Sequence, residues 1–334
     1  MRKYNVIVAV TPYHFFVLKN MISQRLIDSD AHNIFVSTMS REELDFEGVE
    51  FFFDKEFCLD IKKNGIELYF NKIIKDRINK TIYNLETILY DKEIYLIMPH
   101  LEHPLCNALY FSLKAIKNST FNYATYPEGI ASIVPLKKSI RYLCFESVKV
   151  FLSNFGCLEY SFHGSSDDAL GIFDVNIIYT FNPKTIKKYI KKDTKLISIK
   201  TLSKNIKPKD KILILGQPYN KKSISNMILW SKEINSDIYY KPHPRENIKN
   251  IIYYEKILGV NILKTNLCIE EYFDKVESFK NVISVNSSAL INLKMMYGDA
   301  INCISYNAKN HIQENRREEL LKIYREVGVT VFNG

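Results

Sequence analysis

The sequence predicts an α/β protein with mainly parallel strands, and two patterns in it do so. Short apolar runs alternate with longer runs of helical period from end to end of the 334 residues. The polar residues with chemical potential fall just after the short apolar runs, where strands of a parallel sheet deliver ligand-binding groups. A third observation divides the chain. Between Lys187 and Asp210, lysines, Ser203, Asn205 and Pro208 crowd around one short apolar patch, which reads as a linker between two Rossmann-like halves with a cleft between them.

In the first half, strands are expected at Val6–Val10, Asn33–Ser37, Glu93–Met98 and Phe121–Thr125, with helices at Tyr13–Leu26, around Asn71–Tyr90 and at His103–Lys117. The stretch from Leu136 to Phe162 is mixed, open to a helix or an insertion. After the linker the expected order is strand Lys211–Leu215, helix Lys222–Asn235, strands Ile238–Tyr240 and Asn261–Leu263, helix Ile269–Val276, strand Asn281–Val285, helix Ser287–Tyr297 and strand Ala300–Ile304. The tail from His311 to Glu326 is charged and helical in pattern. No repeat of 20 to 50 residues, no G-x-G-x-x-G and no P-loop pattern occurs, which argues against a solenoid, a dinucleotide oxidoreductase and an NTPase.

Composition narrows the class further. Eleven glycines and a hydrophobic fraction of 46% describe an ordinary globular chain, and the formal charge of +9 suits an acidic small substrate, a polyanion or an anionic membrane surface. Much of that charge lies in dispersed lysine runs with no nucleic-acid module beside them, so nucleic acid is not the expected partner. The six cysteines are scattered, without a C-x-x-C pair, so neither a zinc site nor a disulfide framework is indicated and a reducing cytosol is expected. The apolar run before Thr11-Pro12 is too short for a secretion signal or a span, and no 18-residue apolar stretch follows. The expected location is cytoplasmic, soluble or peripheral to a membrane.

Three constellations carry the chemistry. In Lys241-Pro242-His243-Pro244-Arg245, two prolines hold the backbone of a histidine at the end of a strand, which aims an imidazole in positive potential. In Tyr126-Pro127-Glu128-Gly129, a carboxylate sits in a restrained turn after Phe121–Thr125, placed to take a proton from a hydroxyl. In Val285-Asn286-Ser287-Ser288, two hydroxyls open an apolar helix, and serine cap, free N–H groups and helix dipole together favour an anion such as phosphate. An acid on the first half and a histidine with an anion-binding helix start on the second describe a transferase joining a phosphate-linked donor to a hydroxyl. Cationic side chains and a helix N-terminus suffice to neutralise phosphate, so no metal or other cofactor is expected. Ser166-Asp167-Asp168, the nearest paired acid, reads as a loop.

Taken in order, Glu128-Gly129, His243-Pro244 and Ser287-Ser288 resemble the acidic-Gly, HP and paired-serine motifs of bacterial sialyltransferases, and most of all glycosyltransferase family 52. The resemblance spans roughly Thr11 to Ser305. It implies a GT-B architecture and inverting, metal-independent transfer of sialic acid from CMP-sialic acid to a terminal galactose of a capsular or lipid-linked cell-surface oligosaccharide. On that likeness Glu128 is the base, His243 the acid or phosphate partner, and Ser287 and Ser288 the phosphate ligands. Lys241 and Pro242 lie with them, and the loop Gly216-Gln217-Pro218 lies near the donor. Glu270 resembles the acid that holds the cytidine ribose, with Glu271 an equal alternative. Thr11-Pro12-Tyr13-His14 resembles the family's loop after the first strand, and His100 and His103 face the acceptor side together with Gly129. Pro127 stands where many relatives carry a second acid, so Glu128 acts unaided or the base lies elsewhere.

The domains so read are residues 1–195 for the acceptor side, 210–310 for the nucleotide sugar, and 311–334 as a helical tail. A homodimer and peripheral contact with an anionic membrane are compatible with the sequence. Two other readings stay open: a GT-B transferase with a different nucleotide-activated donor, and a non-catalytic polyanion-binding protein.

Overall fold

In the computed structural model, residues 1–61, 71–128, 140–153, 159–161, 175–181, 183–187, 190, 193–200, 206–217, 221–306 and 314–333 are described. The chain divides into two compact units, Met1–Lys200 and Thr201–Gly334. Each unit is a parallel sheet with helices in its connections, which is the α/β class read from the alternating pattern.

The first unit contains β1 (Lys3–Ala9), α1 (Pro12–Ser23), β2 (His32–Ser37), β3 (Lys55–Cys58), α2 (Lys72–Leu89), β4 (Glu93–Met98), α3 (Pro104–Lys114), β5 (Thr120–Thr125), α4 (Ile140–Ser153), β6 (Ile177–Thr180), α5 (Pro183–Ile186) and β7 (Lys195–Ser198). Its strands lie in the order β3-β2-β1-β4-β5-β6-β7, every adjacent pair parallel. Strand order reverses between β1 and β4, so connections leave β1 and β4 in opposite directions and open a crevice at their carboxyl ends. The core under that edge is aliphatic: Val6, Val8, Ile34, Leu96 and Leu109 are all buried in one cluster.

The second unit contains β8 (Lys209–Leu215), α6 (Lys221–Ile234), β9 (Ile238–Lys241), α7 (Ile248–Lys256), β10 (Asn261–Ile262), α8 (Ile269–Lys275), β11 (Phe279–Ser284), α9 (Ser288–Tyr297), β12 (Asn302–Tyr306), α10 (Glu314–Val327) and β13 (Thr330–Phe332). The order β10-β9-β8-β11-β12-β13, again all parallel, has its switch between β8 and β11. Ile212, Ile214, Met227, Ile228 and Ile283 form the buried centre.

Several elements differ from the sequence reading. The proposed linker holds β7, whose Lys195-Leu196-Ile197-Ser198 pairs with β6 as an edge strand; lysine on an edge is a common way to discourage further pairing, and it disguises the strand as a polar stretch. The tail is more than a helix, because β13 pairs with β12 and Phe332 stacks on Trp230 of α6 with ring centroids 4.4 Å apart. The mixed region after Leu136 contains α4, and β3, β6 and α7 are additional to the expected elements. No helix among the described residues is long and apolar enough to cross a membrane.

Candidate functional site

At the carboxyl edge of the first sheet, β1, β4 and β5 are neighbours and deliver Thr11, His100 and Glu128 to one side. Thr11 caps α1: its Oγ1 accepts the His14 N–H at 3.2 Å, and Pro12 occupies the first helical position, where a missing N–H costs nothing. That cap sets His14 in the first turn, 1% exposed. Its Nδ1 accepts the Val10 N–H at 3.4 Å, so the ring proton resides on Nε2, a buried atom without a hydrogen-bond partner among the described residues. Burial first, then the charges of His100 and His103, hold His14 well below the usual histidine range, so the ring is neutral.

Tyr126 forms the floor. Its hydroxyl donates to the Val8 carbonyl, reaching from β5 past β4 to β1, and its ring meets His14 edge-on at 5.8 Å. Beside it, Thr125 Oγ1 donates to the Pro99 carbonyl at 2.8 Å and ties the ends of β5 and β4 together. The outcome is that His100 Nε2 lies 3.3 Å from Glu128 Oε1, with the carboxylate 36% exposed and the histidine side chain 10% exposed. The acid is thus held at the surface against an imidazole rather than left in a solvated turn. Tyr13, half-buried, lies next to His14 with ring centroids 6.3 Å apart. His103 caps α3 through Nδ1, which accepts the Leu105 N–H at 3.3 Å; desolvation, then the charge of His100, pushes it down to about 3. Gly129 lies outside the described residues.

At the carboxyl edge of the second sheet, β9, β8 and β11 are neighbours and deliver His243, Gly216 and Ser287. His243-Pro244-Arg245-Glu246 is a tight turn closed by the Glu246 N–H donating to the His243 carbonyl at 2.9 Å, with Pro244 supplying the fixed φ its second position favours. Within the turn, Arg245 N–H donates to His243 Nδ1 at 3.1 Å. That bond places the ring proton on Nε2 and fixes the ring's direction. Burial, then the Arg245 charge, lowers the His243 pKa, so the group offered at neutral pH is a neutral Nε2–H donor.

Lys241 and Pro242 precede this turn and are half-buried; burial lowers the Lys241 pKa against the opposing pull of Cys268 and Glu270. Glu270, in the first turn of α8, is 3% exposed and accepts the Asn292 amide at 2.8 Å, and burial raises its pKa. Glu271 is 7% exposed and meets Lys275 of its own helix at 3.3 Å. Of the two acids, Glu270 is the one coupled to a strand-end lysine. Ser287 caps α9, its side chain accepting the Ala289 N–H at 3.3 Å, and Ser288 is the first helical residue. Gln217 is half-buried beside Gly216, and Pro218 lies outside the described residues.

Glu246 and Tyr240 were not among the residues expected at this edge. Glu246 accepts the Tyr240 hydroxyl on both oxygens, at 2.6 and 2.7 Å, and the His243 N–H on Oε2 at 3.2 Å. The only sequence signal is an acid three residues beyond a histidine that ends a strand, a pattern as common in solvated turns. Among the described residues no group of histidine, cysteine, aspartate or glutamate side chains has a metal-holding arrangement.

No protein-family model and no curated protein matches the chain. Solved structures match it in fold. An α/β-galactoside α-2,3-sialyltransferase from Photobacterium phosphoreum aligns with a TM-score of 0.56 at 11% identity, covering 99% of this chain and 98% of that one. A 2,6-sialyltransferase from a Photobacterium species, solved with the donor product CMP and the acceptor lactose, aligns at 0.53 and 12% identity over 99% of this chain and 78% of that one. A UDP-N-acetylglucosamine 2-epimerase from Listeria monocytogenes, described as putative, aligns at 0.56 and 12% identity over 100% and 93%. The chain therefore has the fold class of GT-B enzymes, two Rossmann-like α/β domains, as its sequence predicts.

Proposed function

We propose that the chain is an inverting, metal-independent sialyltransferase that moves sialic acid from CMP-sialic acid to a terminal galactose hydroxyl of a cell-surface glycan, akin to glycosyltransferase family 52. The observation that carries the reading is the pair of strand edges: a surface carboxylate braced by a histidine on one sheet, and an aimed neutral Nε2–H and a capped helix start at the carboxyl edge of the other.

In this reading the acceptor hydroxyl gives its proton to Glu128 as its oxygen bonds to the anomeric carbon of the sugar. The bond from that carbon to the CMP phosphate oxygen breaks on the opposite face, which inverts the centre. His243 Nε2–H donates a hydrogen bond or its proton to the departing phosphate, and the α9 N-terminus with Ser287 and Ser288 takes up its charge. Glu270 is the candidate for the ribose hydroxyls. Fold likeness to sialyltransferases supports this choice of donor, and likeness to an epimerase of UDP-N-acetylglucosamine makes UDP sugars the arm to run beside it.

The test is to incubate the protein with CMP-sialic acid, with and without lactose, in EDTA, and to measure released CMP and sialylated product. Lactose-dependent release that EDTA leaves unchanged is the expected result. Release only from a UDP sugar would move the chain to another donor class, and no turnover with any donor would remove the transferase reading.

A further inference from the structure

Gly216, Tyr240, His243 and Glu246 come from the ends of two strands and one turn, yet they share a single contact point. A Cβ built on Gly216 would lie 2.6 Å from Tyr240 Oη, 2.8 Å from Glu246 Oε2 and 3.0 Å from His243 N. The first two contacts are shorter than real Cβ atoms show, so the absence of a side chain at 216 is what lets the Glu246 carboxylate reach in. The Gly216 N–H in turn donates to the Lys241 carbonyl at 2.9 Å, which keeps the end of β8 against the end of β9.

Glu246 is half-buried, and burial raises its pKa against the hydrogen bonds that stabilise its ionised form. Its carboxylate is accepting one hydroxyl proton and one backbone N–H at the base of the turn. Both donors belong to residues that lead into the aimed imidazole: Tyr240 is the penultimate residue of β9, and His243 is the imidazole itself. A solvated acid would make no such commitment. Among the described residues the other hydrogen bonds of His243 stay within the turn, its carbonyl and Nδ1 being bonded to Glu246 and Arg245.

We propose that Glu246 is the positioning residue of this site: clamped by Tyr240 and admitted by Gly216, it holds the His243 turn so that Nδ1 stays bonded to Arg245 and Nε2–H faces the ligand. This rests on the transferase reading only for its effect on turnover. The geometric claim concerns the imidazole alone. Geometric errors of about 1 Å at a reacting group can cost on the order of 100-fold in rate, so a clamp remote from the substrate has catalytic weight.

The experiment uses full-length protein carrying ¹⁵N-histidine and reads the His243 tautomer by NMR in wild type, Glu246→Ala, Glu246→Gln, Tyr240→Phe and Gly216→Ala, with thermal unfolding as a check that each is folded. The His243 signal is assigned with His243→Asn. Wild type should show one tautomer with the proton on Nε2. Glu246→Ala and Gly216→Ala should both mix the tautomers, and the Glu246→Ala/Gly216→Ala double variant should be no worse than either alone, because both remove the same contact. Glu246→Gln, which keeps an acceptor oxygen, should restore most of the single tautomer. In the CMP-release assay, turnover of Glu246→Ala should fall by about 10-fold or more while the affinity for CMP changes by less than about twofold. A folded Glu246→Ala protein with an unchanged tautomer overturns the proposal. Wild type that releases no CMP from CMP-sialic acid overturns the transferase reading instead, and leaves the tautomer result to decide the role of Glu246.

Discussion

In the proposed reaction His243 and Glu128 do different work because their surroundings differ. The imidazole is half-buried and bonded at Nδ1, which makes it a directional neutral donor; the carboxylate is 36% exposed and faces His100, which leaves it open at the surface. His243→Ala should therefore lower turnover by about 100-fold or more, the usual scale for a general acid or its hydrogen-bonding equivalent. Glu128→Gln should lower it comparably while CMP affinity stays near wild type; steady-state kinetics with calorimetric CMP titration separates the two, and a large loss of CMP affinity in Glu128→Gln would contradict an acceptor-side role. Glu270 gives a pH signature of its own. Its folded pKa is raised by burial above the unfolded value, so the folded form binds more protons than the unfolded between those two values, and stability falls as pH rises through that window. Glu270→Gln should flatten this dependence, seen as a melting temperature that exceeds wild type at neutral pH and converges on it towards pH ~4.5. A parallel pH dependence in the two proteins would count against a buried, proton-holding carboxylate.

Elements matter here chiefly through where they start and stop. Thr11, His103 and Ser287 are all helix caps, each at the carboxyl edge of a sheet, so the residues that terminate loops also furnish polar groups to that edge. Ser287→Ala removes the side-chain acceptor of the Ala289 N–H and should cost about 1 kcal/mol in denaturant unfolding, the typical value for a lost cap. If α9 receives phosphate, CMP affinity should fall with it, whereas cytidine affinity should not. Equal loss for both ligands would place the effect in general stability. The turn that carries His243 was legible from its prolines, because proline restricts backbone angles whatever the tertiary context. Its anchor was not legible. Glu246 resembles any exposed turn acid until the turn folds it back onto Tyr240 and pairing of β8 with β9 brings Gly216 beside it. The short edge strand β7 escaped for a related reason: four residues flanked by lysines carry too little apolar period to separate a strand from a linker.

For the whole molecule, the quantity of note is the formal charge of +9, carried without a described helix able to span a membrane. We propose that this charge draws the protein to anionic lipid, each basic residue near the headgroups contributing roughly 1 kcal/mol of an attraction that salt screens. Sedimentation with vesicles should show binding to phosphatidylserine-containing membranes that rising salt abolishes. Equally strong binding to neutral vesicles would assign the attraction to something other than charge.

The amino-acid order alone determined the α/β class, the division into two sheets and the strand-end placement of Glu128, His243 and Ser287, because periodicity, proline and helix-capping chemistry act over a few residues. The tertiary structure alone decided that His100 faces Glu128, that His14 is neutral and buried beside Tyr126, and that Glu246 locks the His243 turn. The first two depend on parallel strands far apart in the chain becoming neighbours, and the third on β8 bringing Gly216, without a side chain, against a turn that is otherwise local; short-range sequence patterns carry no record of which strands will pair.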